Sequence, residues 1–433
     1  MKHQPFLSRR QRLLEQIGDG VAIIPTAAEV LRNRDTPYPY RPDSYFWYLS
    51  GFPEPDAVIV LLGGKDARAL LFCREKNVER EIWDGFRYGP AAACEAFGFD
   101  EAWPIDEFEQ KLPDLLANRP TLHFALGQNA VWDAKISKAR EFVSSQGRAG
   151  KQAPTQINDL RALLDSWRLI KDAHEIALMR RAAAITSAAH TRAMRACRPG
   201  LAEYALEAEI SHEFRCQGSS GHAFLPIVAG GANACVLHYI ENDQPLPDGA
   251  LVLIDAGCEL AAYAADVSRT FPVNGRFSAA QRDAYEIVLA AQAAAIAAIR
   301  PGVPFNAYHD AALRVLVQGM VDLRLLHGCV DGLIESEAYK PFYMHRTGHW
   351  LGLDVHDAGA YKTRDDTWIP LQAGMTLTVE PGLYIRPSPY VSQAWHGIGI
   401  RIEDDVLVTA SGAEVYTDPP KTAAEIEAVM RST

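Results

Sequence analysis

Residues 345–357 read HRTGHWLGLDVHD, with three histidines and two aspartates set among apolar residues and two glycines. The sequence has 13 histidines in 433 residues, so this density asks for a chemical reason. A buried imidazole needs a hydrogen-bond partner or a metal. Any fold the chain adopts must bring such partners to this stretch from elsewhere.

Acidic partners stand in two other regions. LVLIDAG (251–257) and CELAAYAADVSRTFPV (258–273) read as paired strands with a turn near Leu260–Ala261, which sets Asp255 opposite Asp266. Opposed carboxylates on an apolar sheet repel each other and cost desolvation, so they need a cation or a shared proton. One of them facing solvent in a turn is the plainer reading, but LVLID is too apolar for an exposed loop. MTLTVEPGLY (375–384) places Glu380 at a strand end before Pro-Gly. IGIRIEDDVLV (398–408) places Glu403 mid-strand, with Arg401 two residues back on the same face. A charged residue inside such apolar runs is normally paired or ligated.

With His349, the set is four carboxylates and one imidazole: Asp255, Asp266, Glu380, Glu403 and His349. Four negative charges exceed one divalent ion and balance two. Oxygen-rich ligation favours Mn²⁺ or Co²⁺, is compatible with Zn²⁺, and excludes a thiolate-dominated site. Two ions about 3.5–4 Å apart share a water, make hydroxide available near neutrality and polarise a carbonyl, which is hydrolase chemistry. The spacing is not HExxH, because Arg346 stands where its glutamate would be. There is no GxSxG; the nearest string is Gly218-Ser219-Ser220-Gly221. AGGAN (229–233) fits neither a P-loop nor GxGxxG and reads as a loop, and His238 just after it reads, on its own, as structural.

Length predicts two domains, divided at 1–170 and 171–433, in an α/β (α+β) class. In the first, 21–25, 57–62, 69–73 and 122–126 read as strands, 106–117 as a helix interrupted at Pro113, and 144–156 as a loop. The aromatic run 38–52 suits core packing. In the second, a helix from Lys171 with Asp172 and Glu175 at its start ends at Arg198-Pro199-Gly200, and another follows. The same grammar returns from Ser278 and Gln281 to Arg300-Pro301-Gly302, suggesting two related halves. A net charge of −11 disfavours nucleic acid as a partner. Seven scattered cysteines argue against a disulfide framework and for a reducing compartment. The first residues lack the apolar core of a signal peptide, and no run reaches a membrane span, so the expectation is a cytoplasmic protein.

GGANACVLHYIEN, LVLIDAGCE, AADVSRTFPVNGRFS, HRTGHWLGLDVHD, TVEPGLYI and GIGIRIEDDVLV occur in the order seen in the metal-dependent pita-bread peptidases. Together with RRQRLLEQ and YPYR…FWYLSGF near the start, the chain resembles the bacterial aminopeptidase P (Xaa-Pro aminopeptidase) family along essentially its whole length. The resemblance implies an N-terminal domain followed by a pita-bread catalytic domain. It implies two metal ions, usually manganese, on Asp255, Asp266, His349, Glu380 and Glu403, with Asp266 and Glu403 bridging. It implies an exopeptidase that hydrolyses the N-terminal bond of peptides with proline second, Glu380 also moving a proton. His238, His345 and His356 would stand beside the ions and the substrate, Arg401 would orient the acids, and Tyr361 and Tyr384 match substrate-side positions. Trp83, in EIWDGFR, matches a tryptophan that reaches a neighbouring subunit's site, so a homo-oligomer, dimer or tetramer, is expected. Two departures stand out: Ala265 where a glycine often precedes the aspartate, and KTRDDTWIP after Tyr361, which leaves the family's substrate-contacting arginine unplaced, with Arg364 a candidate. Three rivals follow: a prolidase acting on dipeptides only, a metal-free hydrolase like creatinase, and an inactive binding protein on the same fold. Methionine aminopeptidases resemble only the second domain.

Overall fold

The structure, a computed structural model, describes residues 4–432. The chain divides into two compact units between Asp165 and Ser166. The sequence-based boundary fell at 170/171. Residues 166–170 go with the second unit because Arg168 there is buried against Asp354 and Asp357.

The first unit is a six-stranded sheet with Val21–Pro25 near its middle, pairing antiparallel with Val58–Leu62 and parallel with Thr121–His123. All five residues of 58–62 are buried, as expected of a central strand covered on both faces. The strand expected at 122–126 stops at His123. The expected break at Pro113 does not occur: the helix Phe108–Leu116 runs through it, and Ala117 N–H closes the last turn on the Pro113 carbonyl. In the aromatic run, Asp43 caps the helix Ser44–Ser50 by accepting from the N–H groups of Tyr45 and Phe46, and Phe46 and Phe52 are fully buried.

The second unit repeats one plan. Helices Ala173–Ala196 and Ala279–Ala298 both begin with capping boxes, Asp172 with Glu175 and Ser278 with Gln281. Each is followed by Arg-Pro-Gly, whose Gly200 and Gly302 take the positive φ that lets the chain turn back. Helices Glu203–Cys216 and Ala307–Asp322 follow. Strands 227–230, 251–255 and 268–272 form one antiparallel sheet, and 376–379, 404–408 and 413–415 form its counterpart. One continuous apolar core joins the two halves, including Phe271, Val288, Leu377 and Val406. This is the two-halved pita-bread arrangement. Among the described residues, no helix is long and apolar enough to cross a membrane.

The hairpin carrying the two aspartates differs from expectation in register. Its turn is at Ala261–Ala262, both at positive φ (51° and 68°), so Asp255 pairs with Ser268. Moving the turn by one residue shifts pairing by two. Because side chains alternate with a period of two, Asp266 stays on the face of Asp255, diagonal to it. Positive φ at both central residues suits asparagine and glycine far better than alanine. Ala261 is exposed. Ala261→Asn should raise the melting temperature slightly, by about 1–3 °C, and Ala261→Val should lower it by a similar or larger amount. Equal melting temperatures for all three proteins would contradict the turn geometry.

Candidate metal centre

Each predicted carboxylate ligand is delivered by a strand end or a break between strands. Asp255 ends the strand 251–255, Asp266 lies two residues before 268–272, and Glu380 directly follows 376–379. Glu403 is not mid-strand as expected: it sits in the break between Ile398–Arg401 and Asp404–Val408. The chain changes partners there, from strand 382–385 to strand 376–379. In the gap, Glu403 N–H donates to the Ser268 carbonyl, which ties it to the other half. The HRTGHWLG segment lies against strand 376–379, where Thr378 N–H donates to the His349 carbonyl. A Cβ on Gly348 would fall 2.0 Å from the Thr378 carbonyl oxygen, so only glycine permits this approach.

His349 Nδ1 lies 2.9 Å from the Trp350 carbonyl, which can only accept. Nδ1 therefore carries the proton, and the Nε2 lone pair faces Asp266 at 3.4 Å and Glu380 at 3.7 Å. Donor atoms of Asp266, His349 and Glu403 all lie within 4.8 Å of one another. Oδ1 of Asp255 and Oδ1 of Asp266 are buried with no hydrogen-bond partner. Burial, and then the neighbouring acids, push Asp266 and Glu403 well above the usual carboxylate range, and burial raises Glu380. Unpaired oxygens on crowded, desolvated acids with one free imidazole nitrogen fit divalent ions.

Arg401 organises the acids. Its guanidinium donates to Asp255 Oδ2 at 2.6 Å, to Ser268 Oγ at 2.9 Å and to the Tyr384 hydroxyl at 3.0 Å. Ser268 Oγ in turn donates to Glu403 Oε2 at 2.7 Å. His345 Nδ1 lies 2.7 Å from the Arg346 carbonyl, so its Nε2 accepts from the Tyr384 hydroxyl at 2.8 Å. Burial, then the charge of Arg401, press the His345 pKa down to about 3, so the ring is neutral and its 3.7 Å approach to Glu380 is not an ion pair. Partial burial, then His349 and His238, lower that of His356, whose ring centroid is 4.3 Å from that of His349.

These groups open into a cavity of about 990 Å³ lined by the five predicted ligands, His238, His345, His356, Arg401 and Tyr361. Tyr384 is not among the lining residues: it is fully buried, and its hydroxyl is shared between His345 and Arg401. The Tyr361 hydroxyl accepts from Trp350 N–H at 3.2 Å, and its ring stacks on Trp350. Trp83 is 84% exposed on the helix Val78–Asp84 and is not among the lining residues. Neither is the exposed Arg364. The further cations on the wall, besides Arg401, are Arg346 and Lys362, both within 5 Å of the Trp368 ring (4.8 and 4.7 Å). Sequence reading passed over them, and over Ser268, whose position two residues after Asp266 on the same strand face was a usable signal. Asp357 is a structural residue: burial would raise its pKa, but Lys171 and Arg168, at 2.9 and 2.6 Å, hold it below the usual range. Ala265 occupies the expected glycine position without a positive φ.

Fold and site together define a metal-dependent hydrolase with its centre between two related halves. Residues 177–410 match Metallopeptidase family M24, and residues 6–123 match the Aminopeptidase P, N-terminal domain. The chain is 46% identical to Xaa-Pro aminopeptidase of Escherichia coli, over 99% of this chain and 98% of that protein. It is 35% identical to mouse Xaa-Pro aminopeptidase 3, over 93% and 79% respectively. Among solved structures, Pseudomonas aeruginosa aminopeptidase PepP superposes with a TM-score of 0.98 at 49% identity, covering 99% of this chain and 98% of that one. Zn-substituted E. coli aminopeptidase P in complex with product superposes with a TM-score of 0.97 at 45% identity, covering 100% and 99%. The chain belongs to metallopeptidase family M24 and is an enzyme of the aminopeptidase P type, dependent on divalent metal.

The raised acids give a pH signature. A carboxylate whose folded pKa lies above its unfolded value favours folding below the unfolded pKa, near 4, and that contribution is lost as pH rises through the folded value. Bound cations remove the penalty, and ligand deprotonation favours their binding in the same direction. The melting-temperature gain on adding Mn²⁺ to chelator-treated protein should therefore grow from about pH 5 to about pH 8. A gain that is flat or shrinks with pH would contradict the assignment of these acids.

Proposed function

We propose that this metallopeptidase removes the first residue from peptides whose second residue is proline, with two divalent ions, Mn²⁺ foremost, held by Asp255, Asp266, His349, Glu380 and Glu403. The observation that carries the reading is the convergence of four acids and one free imidazole nitrogen on a single cavity, with buried carboxylate oxygens left unpaired. Whole-length relatives named Xaa-Pro aminopeptidase support the bond chosen. When bound, the ions supply an ionised water near neutral pH and polarise the scissile carbonyl.

The side chains do the rest. Glu380, raised by burial, takes a proton and passes it to the departing proline nitrogen, which as a tertiary amide carries no hydrogen of its own. His356, and His238 beside it, donate hydrogen bonds toward the carbonyl oxygen as negative charge develops there, a contribution of about 3 kcal/mol per donor in comparable sites. His345, neutral and braced by Tyr384, presents a ring face to the proline. Arg401 holds Asp255 in place through its 2.6 Å hydrogen bond. Tyr361 borders the substrate channel. Trp83, exposed on its helix, would serve a neighbouring copy in a homodimer or homotetramer. The assignment of the first unit as the aminopeptidase P-type domain and the second as catalytic, and a cytoplasmic location, belong to the same reading.

Glu380→Gln should lower kcat by about two to four orders of magnitude while leaving the far-ultraviolet dichroism spectrum unchanged. Near-normal turnover would sink the role given to Glu380. A second test is substrate length: with Mn²⁺ supplied, an Xaa-Pro-Yaa tripeptide should be cleaved with a higher kcat/KM than the Xaa-Pro dipeptide. Cleavage of the dipeptide alone would make the enzyme a prolidase.

A further inference from the structure

Behind the acids, on the side away from the cavity, lies a buried polar cluster that no step above uses. Arg269 is fully buried, and all five of its N–H groups find acceptors. Nη1 donates to the Ser268 and Glu403 carbonyls at 3.0 and 2.6 Å. Nη2 donates to Asp404 Oδ1 at 2.6 Å and the Pro419 carbonyl at 3.1 Å, and Nε to the Pro420 carbonyl at 3.2 Å. Asp404 also accepts from Lys421, Thr417 and Gln292, at 2.7, 2.8 and 3.0 Å. Gln292 is the sole amide in an alanine-rich stretch, AAQAAA, and is 1% exposed. Its Nε2 lies 3.2 Å from the Ile402 carbonyl and 3.3 Å from the Val379 carbonyl. Every neighbour of that nitrogen is an acceptor, so the amide orientation is determined.

The carbonyls engaged are telling. Ile402 and Val379 are the residues immediately before Glu403 and Glu380. Ser268 is two residues after Asp266, and the Glu403 carbonyl is itself engaged, the other two carbonyls being those of Pro419 and Pro420. One cluster therefore grips the backbone of three segments that carry acids, across both halves of the unit. Those acids and Asp255 repel one another at short range, and Arg401 is the cation hydrogen-bonded to Asp255. We propose that Arg269, Asp404 and Gln292 are positioning residues that fix the separation of Asp266, Glu380 and Glu403, and so set the affinity for the second of the two metal ions. The inference rests on the dimetal reading above. Outer partners of metal ligands commonly govern affinity in this way, because a ligand that must be reordered on binding binds more weakly.

The test is a metal titration, independent of peptidase activity. Full-length metal-free wild type, Gln292→Leu and Arg269→Lys are titrated with Mn²⁺ by calorimetry, and the magnetically coupled two-manganese signal is followed by electron paramagnetic resonance. Gln292→Leu preserves volume and leaves Asp404 paired with Arg269 and Lys421. Arg269→Lys keeps the charge opposite Asp404 but cannot span both carbonyls. Both should weaken the second ion by about tenfold or more, with a much smaller change at the first, and the coupled signal should require correspondingly more metal. Variants that melt at lower temperature yet bind both ions as wild type does would overturn the proposal, since the cluster would then be structural alone. Should Arg269→Lys fail to fold, Gln292→Leu decides. Wild type that binds no pair of ions would overturn the dimetal reading and this inference with it, an outcome told apart by the wild-type titration.

Discussion

Crowding of buried carboxylates is the constraint on which the catalytic unit depends. Asp255, Asp266, Glu380 and Glu403 meet in one cavity, and two of their oxygens have no hydrogen bond. Left to themselves, such groups would take up protons or move apart, since burying an unpaired charge costs several kcal/mol. The fold resists this with Arg401 bonded to Asp255 and a scaffold behind the acids. Arg401 takes Asp255 directly and Glu403 through Ser268. A rigid fork suits this task, because three partners in fixed directions also fix the strands that bear them.

The same guanidinium helps to set the state of His345. By occupying the Tyr384 oxygen as an acceptor, Arg401 makes that hydroxyl donate to His345, and burial, with the Arg401 charge second, keeps the ring neutral. His349 is set by a different neighbour, the Trp350 carbonyl, which claims Nδ1 and leaves Nε2 for a ligand. Two histidines four residues apart thus acquire different tasks from the second atom each ring touches. The loop that carries both is anchored farther along by Asp357 between Arg168 and Lys171.

Much of this was legible before any coordinates. Capping residues and Arg-Pro-Gly stops announce both helix pairs, because their signals are local and act within one turn of chain. The acids could be singled out because a charge inside an apolar run needs an explanation. The errors lie where non-local contacts win. Pro113 stays in its helix, the hairpin turns at Ala261–Ala262, and Glu403 falls in a strand break, because the strand on either side pairs with a different partner. Tyr384 is fully buried with its hydroxyl between His345 and Arg401, a placement that period-two alternation could not give, since it tells faces apart but not which face meets the cavity. Arg346, Lys362 and Trp368 gather at the rim from segments with no shared local pattern.

By itself the sequence determined the chemistry on offer: oxygen-rich donors with one imidazole, the order in which they arrive, and two similar halves to carry them. These follow from residue type and spacing, which survive any detail of packing. Only the tertiary structure decided which oxygens stay unpaired, which nitrogen of His349 is free, and that Ser268 links Arg401 to Glu403. Each of those depends on a partner far away in the chain, and the hydrogen bond an atom makes is chosen by what packing places within about 3 Å of it.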